Sequence, residues 1–163
     1  MTTTAVEAVE ALRAVGATVA TAESLTGGLV CATLVSVPGA SDVVRGGVVA
    51  YAPEVKTTAL GVDAGLIAER GTVDAEVAAA MARGARTRLG ATYGLATTGV
   101  AGPDASEGKP PGTVHIAVAG PNGVRTRLLA LSGDREAIRS GTVAARLSLL
   151  VATLGEESRT ARG

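Results

Sequence analysis

The sequence predicts an α/β fold, a three-layer α/β/α sandwich around a mostly parallel, mixed sheet. Stretches with apolar residues at helical spacing alternate along the chain with short β-prone runs. Hydrophobic residues make up 47% of the 163 positions, yet Phe and Trp are absent. A core of Ala, Val, Leu and Ile suits a buried sheet flanked by helices. The turn Pro121-Asn122-Gly123 lies between two β-prone runs and adds an antiparallel hairpin.

The first half of the chain is predicted to alternate helix and strand. Apolar residues at helical spacing begin near Thr4, and Pro38-Gly39 ends the second helix. The predicted elements are a helix at 4–15, a strand at 17–22, a helix opened by Ser24, a strand at 43–51, a short helix at 54–60 and a turn near 63–69.

The second half follows the same alternation and then adds the hairpin. Asp74 is predicted to cap an Ala-rich helix that stops at Gly90. The remaining elements are strands at 93–98, 113–119 and 124–131 and a helix at 134–154. Residues 1–154 are expected to form a single domain, and 155–163 a frayed tail.

Charge and composition exclude several classes of function. Fifteen Lys and Arg residues balance fifteen Asp and Glu residues, which argues against a nucleic-acid or polybasic membrane surface. The single Cys31 and single His115 exclude a disulfide framework and a Cys or His metal cluster, so neither a metal nor a cofactor is expected. The N-terminus lacks the pattern of a signal peptide, and apolar runs are short, so a cytoplasmic protein is expected.

Three polar or glycine-rich junctions each follow a predicted strand. They comprise residues 23–28, 51–56 and 97–103. Because parallel strands present their carboxyl ends at one edge of the sheet, these junctions are expected to meet in space.

Ser24 in the first junction is a candidate nucleophile. The backbone N–H groups of Thr26, Gly27 and Gly28 are expected to lie near a helix N-terminus, where they could hold an oxyanion or a phosphate. The alternative is that Ser24 or Thr26 only caps the helix.

The second junction offers Lys56 as a base for that serine. A lysine side chain accepts a proton only when it is neutral, so its pKa must fall well below about 10.4. Tyr51 lies five residues earlier. A solvated Lys56 with a half-buried Tyr51 is the alternative.

The third junction and the last helix supply candidate ligand-binding residues. Gly99 and Gly102 let the backbone approach a ligand closely, and Thr98 precedes them. Arg135 and Arg139 are four residues apart on the last helix, where they could clamp a phosphate or form a solvated charged face.

Several segments together resemble the CinA C-terminal domain family. The match runs in the family's order from about residue 5 to 154. Its motifs are Ala22-Glu23-Ser24-Leu25-Thr26-Gly27-Gly28, Pro38-Gly39-Ala40-Ser41, Gly46-Gly47-Val48-Val49-Ala50-Tyr51 with Lys56, Leu60-Gly61-Val62, Gly71-Thr72-Val73, Thr98-Gly99-Val100-Ala101-Gly102-Pro103, Lys109-Pro110-Pro111-Gly112-Thr113-Val114 and Gly133-Asp134-Arg135.

The resemblance implies an amidohydrolase that converts nicotinamide mononucleotide to nicotinate mononucleotide and ammonia without a metal. The family's catalytic residues map to Ser24, Tyr51 and Lys56, and Lys56 is expected to take the serine proton either directly or by a relay through Tyr51. Substrate contacts are expected from the turn and loop glycines and from Thr26 and Thr98, with Arg135, Arg139 or the loop at 98–102 as the phosphate anchor. Pro53 and the run Asp104-Ala105-Ser106 depart from the family pattern.

Two other interpretations of the sequence stay open. One is a hydrolase acting on another small amide, and the other is a catalytically silent nucleotide-binding or regulatory module. Because apolar residues cover the last helix broadly, a homo-oligomer is expected as well.

Overall fold

The computed structural model describes residues 2–163, in which five strands form one sheet between two layers of helices. The strands are β1 (Val19–Glu23), β2 (Val44–Val49), β3 (Tyr93–Gly99), β4 (Thr113–Gly120) and β5 (Gly123–Ala130). The helices are α1 (Thr3–Ala14), α2 (Leu29–Val35), α3 (Pro53–Leu60), α4 (Ala64–Arg70), α5 (Ala75–Arg88) and α6 (Arg135–Thr160).

The sheet is mixed, with strand order β2-β1-β3-β4-β5. β1 pairs in parallel with both β2 and β3, whereas β3–β4 and β4–β5 are antiparallel. The α/β class and the mixed sheet are therefore as predicted. The antiparallel pairing of β4 with β5 follows from the two-residue turn Pro121-Asn122, which joins these strands directly.

The two faces of the sheet are covered differently. Leu and Val side chains from α1, α2 and α6 form the core on one face, and an Ala-rich cluster centred on α5 forms it on the other. A Cβ at Gly94 of β3 would collide with the carbonyl oxygen of Ala82 on α5. α5 therefore packs too closely against β3 for a large side chain to fit between them, in keeping with a chain that lacks Phe and Trp.

The second helix begins later than predicted. Gly27 and Gly28 have φ values of +59° and +98°, so the chain makes a left-handed turn before α2 starts at Leu29. Ser24 therefore lies in a turn, not at the first position of a helix. β1 also runs one residue further than predicted, to Glu23.

The last helix is longer than predicted and replaces most of the expected tail. α6 continues to Thr160, so residues 155–160 are helical. Glu157 accepts a 2.5 Å hydrogen bond from the Tyr93 hydroxyl of β3, and Glu156 pairs with Arg125 of β5. These contacts tie the final turns to the sheet.

Among the described residues α6 alone has the length and hydropathy of a membrane span, but half of that stretch is buried, as in the core helix of a soluble fold.

Candidate active site

The three predicted junctions meet at one edge of the sheet. Because β1, β2 and β3 run in parallel, the segments that follow them surround one cavity of about 230 Å³. Its walls comprise Ser24, Leu25, Tyr51, Thr72, Val73, Gly99, Val100, Ala101, Gly102, Asp104, Ser106 and Arg135.

Ser24 is fixed in a tight turn at the end of β1. Its N–H donates to the carbonyl of Thr97 at 3.0 Å, and its own carbonyl accepts from the N–H of Gly27 at 3.1 Å. The residue is only 8% exposed, yet it lines the cavity. Its hydroxyl is thus held in one place within reach of a bound ligand.

Lys56 lies on α3, and its side chain contacts Ser24. Its side chain is 1% exposed, and its Nζ lies 3.0 Å from Ser24 Oγ. The same nitrogen lies 2.7 Å from the carbonyl oxygen of Ala50 and 3.2 Å from that of Tyr51. A neutral amine has two N–H donors for those carbonyls, which leaves its lone pair for the Ser24 hydroxyl proton.

Burial of Lys56 favours the neutral form that a base requires. Desolvation lowers the pKa of Lys56 to about 8, although Glu107 and Glu54 act in the opposite direction. With that pKa, about a tenth of the lysine is neutral at pH 7. The sequence offered Lys56 as a base for Ser24 and predicted that their junctions meet, whereas the fold supplies the contact and the desolvation.

The Tyr51 side chain contacts Arg135 and not the serine. Tyr51 is 62% exposed, and its hydroxyl accepts a hydrogen bond from Arg135 Nη2 at 3.2 Å. Arg135 Nη1 donates to the carbonyl of Gly102 at 2.6 Å. The expected relay from Ser24 through the Tyr51 hydroxyl is therefore not formed, and only the Tyr51 carbonyl reaches Lys56. Arg135 lines the cavity with donors to spare.

Arg139 does not line the cavity, although it lies one turn from Arg135. Its Nε donates to the carbonyl of Leu25 at 3.0 Å, and its Nη2 to that of Thr26 at 3.1 Å. The expected phosphate ligand therefore holds the turn that carries the serine. The four-residue spacing of Arg135 and Arg139 predicted that both face the same side of the helix, but it did not predict that backbone carbonyls would accept the hydrogen bonds of Arg139.

Thr26 and Glu23 form a buried network beneath that turn. Thr26 Oγ1 donates to Glu23 Oε1 at 2.7 Å, and Glu23 also accepts from the N–H groups of Val30 and Cys31 at 2.7 and 3.0 Å. The Thr26 side chain is thus unavailable to substrate, and the first N–H groups of α2 are taken. Sequence reasoning gave Glu23 no role, although an acidic residue that ends a buried strand was a usable signal.

The remaining candidates for an oxyanion site are backbone groups of the same turn. The N–H of Gly27, one of the three expected donors, is occupied by the Ser24 carbonyl. Within residues 2–163, the N–H groups of Leu25, Thr26 and Gly28 have no acceptor. Leu25, which lines the cavity directly after the serine, is a donor that the sequence did not single out.

The loop that carries Glu107 and Lys109 is hydrogen-bonded to Thr72 and Val73 in the wall of the cavity. The Glu107 carboxylate accepts from the Thr72 N–H at 2.8 Å, the Thr72 hydroxyl at 2.7 Å and the Val73 N–H at 3.0 Å. Lys109 donates to the carbonyl of Val73. The hydroxyl of Thr98, an expected substrate contact, instead donates to the carbonyl of Thr72 at 2.7 Å. The sequence assigned no function to Glu107.

The structure gives no cluster of metal ligands in the part of the chain that it describes. No group of three or more His, Cys, Asp or Glu side chains that could hold an ion occurs within residues 2–163. Cys31 and His115 are both half-buried, and neither lines the cavity.

Comparison with known proteins identifies the family. The model of the CinA C-terminal domain matches residues 1–154. This chain belongs to the CinA C-terminal domain family. A CinA-like protein of Frankia casuarinae is 60% identical over 134 residues, which are 82% of this chain and 31% of that protein. A CinA-like protein of Anaeromyxobacter dehalogenans is 49% identical over 140 residues, 85% of this chain and 34% of that protein. The chain thus spans about a third of the length of these curated relatives.

Solved structures of CinA proteins share the fold. A CinA superfamily protein of Klebsiella pneumoniae matches with a TM-score of 0.92 and 31% identity, covering 94% of this chain and 96% of that one. The competence/damage inducible protein CihA of Agrobacterium tumefaciens matches with a TM-score of 0.89 and 37% identity, covering 93% of each chain. The mixed sheet between two helical layers is thus the fold of crystallised CinA proteins.

Proposed function

We propose that this CinA domain hydrolyses the carboxamide of nicotinamide mononucleotide to give nicotinate mononucleotide and ammonia. One observation carries the proposal, the buried Lys56 amine 3.0 Å from the hydroxyl of Ser24 at the wall of a cavity. A serine activated by a lysine of lowered pKa is a known arrangement for acyl transfer. The family resemblance supplies the substrate.

The acylation half of the reaction needs only groups at the site. Neutral Lys56 takes the proton of Ser24 as Oγ forms a bond to the amide carbon, and the N–H of Leu25, which lines the cavity and has no acceptor among residues 2–163, is the proposed donor to the resulting oxyanion. Lys56 then gives that proton to the amide nitrogen as the C–N bond breaks. Ammonia leaves, and the nicotinoyl group remains as an ester on Ser24.

Hydrolysis of the ester restores the enzyme. Water attacks the ester carbon and gives a proton to Lys56, which returns it to Ser24 as the C–O bond breaks. The products are the nicotinate carboxylate and free Ser24, with one water consumed for each ammonia released.

Arg135 is the proposed anchor for the substrate's phosphate. Its guanidinium is fixed by the carbonyl of Gly102 and by the hydroxyl of Tyr51, and it lines the same cavity as Ser24. Guanidinium N–H donors left over from those two contacts suit a phosphate. Tyr51 on this view positions Arg135 rather than relaying a proton.

The test is ammonia release from nicotinamide mononucleotide by the purified chain and by Ser24→Ala. We expect turnover by the parent and a loss of about 10³-fold or more in the variant, because the nucleophile is gone. Ser41→Ala is the matched control, since Ser41 is exposed and lies outside the cavity. Full activity in Ser24→Ala would exclude the serine mechanism. A parent that binds the nucleotide without releasing ammonia would instead be a silent binding module.

A further inference from the structure

The cavity wall carries one acidic side chain that the mechanism does not use, Asp104. It is exposed and lines the same cavity as Ser24 and Arg135. It takes part in none of the ion pairs found among residues 2–163. Glu107, three residues further along the same loop, has its carboxylate occupied by Thr72 and Val73. Asp104 is thus the acidic group of this loop that is left for a ligand.

The cavity therefore presents charges of both signs to its contents. Arg135 is the cationic group, fixed by its bond to the carbonyl of Gly102. Asp104 comes two residues after that glycine and forms no ion pair with Arg135. The two charged residues line the same cavity without forming an ion pair with each other. A ligand that fits such a site carries an anionic and a cationic group.

Nicotinamide mononucleotide has this charge distribution. Its phosphate is anionic, and the ring that bears the carboxamide is a pyridinium with a fixed positive charge. A compound with a neutral ring would gain no attraction from Asp104, so the site would bind it less well than the cationic substrate.

We propose that Asp104 faces the pyridinium ring of the substrate and makes the site select cationic-ring nucleotides over neutral-ring ones. This inference rests on the proposed function and adds a specificity-determining residue to it. Asp104 acts on the ring and not on the base, since the charges that bear on Lys56 come from Glu107 and Glu54. The pH dependence of the reaction should therefore be the same without the Asp104 charge.

The experiment compares nicotinamide mononucleotide with its 1,4-dihydro form, which has a neutral ring but the same ribose and phosphate. kcat/KM is measured for both compounds with the full chain and with Asp104→Asn. We expect the variant to lose about three- to tenfold in kcat/KM for the cationic substrate and to keep its value for the neutral one. Comparing the variant with the parent on each compound cancels the different intrinsic reactivity of the two amides, and the pH profile should be unchanged.

Asparagine keeps the size of the side chain and an acceptor oxygen, so the variant separates charge from hydrogen bonding. Glu69→Gln is the control for net charge, because Glu69 is exposed on α4 and outside the cavity. It should leave the ratio unchanged. An equal loss on both compounds, or no loss on either, would overturn the proposal.

Failure of the proposed function has a different signature. In that case the parent chain releases no ammonia from either compound. The ratio of dissociation constants for the two nucleotides, measured by calorimetry, then replaces the ratio of kcat/KM. A ratio that is the same in the parent and in Asp104→Asn would reject the role of Asp104 independently of turnover.

Discussion

At the residue scale, the proposed chemistry of this domain depends on the groups that surround Lys56. Its amine lies within hydrogen-bond distance of three oxygens, two backbone carbonyls and the Ser24 hydroxyl. The carbonyls of Ala50 and Tyr51 fix the direction of the nitrogen, while burial makes the charged form unfavourable. The same environment thus orients the base and keeps part of it neutral near pH 7.

The activity should follow the titration of Lys56. Only the neutral amine can accept the serine proton, so kcat/KM for nicotinamide mononucleotide is expected to rise with pH and to level off above a pKa of about 8. Lys56→Arg should abolish the reaction at every pH, because a guanidinium does not release its proton in this range. Ammonia release measured between pH 6 and 9.5 tests both. A flat profile over this interval would exclude Lys56 as the base.

The sequence predicted which side chains meet better than it predicted their contacts. Ser24 and Lys56 were identified through their motifs, the alternation of elements predicted that their junctions meet, and the two side chains are in contact at the cavity. Arg139, Thr26 and Thr98 were expected to bind substrate, but each donates to the protein's own oxygen atoms. Which way such a side chain turns depends on carbonyl groups brought close by tertiary packing. No spacing within the sequence contains that information.

At the element scale, the boundaries of α2 and α6 show what local patterns leave out. The apolar period suggested a helix from Ser24, but two glycines with positive φ delay it to Leu29. Glu23 then accepts from the first N–H groups of that helix, which locks the turn. α6 runs past Leu154 because Tyr93 and Arg125 of the sheet contact its final turns. Both boundaries depend on partners distant in the sequence.

Arg146 of α6 carries a guanidinium that is buried without a partner in the part of the chain that the structure describes. It is 0% exposed, and its three side-chain nitrogens find no hydrogen-bond acceptor among residues 2–163. Burial, together with the charge of Arg127, lowers the pKa of Arg146 to about 9. The element therefore carries an uncompensated buried charge, which opposes folding.

Replacing this charge with an apolar side chain of similar length should stabilise the protein. Arg146→Met is expected to raise the free energy of unfolding by about 1–3 kcal/mol at pH 7, since it removes the desolvation penalty and fills the same space. Urea unfolding followed by circular dichroism measures the change. Arg83→Met, on the exposed face of α5, should shift stability by less than about 0.5 kcal/mol. A destabilised Arg146→Met would mean that the guanidinium has a partner.

At the scale of the whole molecule, Lys56, the proposed base, also makes stability depend on pH. Lys56 has a pKa of about 8 in the folded chain and an ordinary value of 10.5 when unfolded. Between these two values the unfolded chain holds a proton that the folded chain has released. Stability therefore rises with pH across this interval, whereas below a pH of about 8 both states are protonated and the folded chain carries the full penalty of a buried charged lysine. The same burial that favours the neutral amine thus weakens the fold near neutral pH.

Comparison with Lys56→Met separates the pH dependence of stability caused by Lys56 from that caused by other titrating groups. Cys31 and Tyr93 have raised pKa values, which lowers stability at high pH, but both are present in both proteins. The difference in unfolding free energy, parent minus variant, is expected to increase between pH 8 and 9.5 by about 1 kcal/mol per pH unit, because one proton separates the folded and unfolded states. Denaturant titrations at half-unit intervals measure it. A constant difference would show that Lys56 titrates alike in both states, and the pH dependence of catalysis would then need another group.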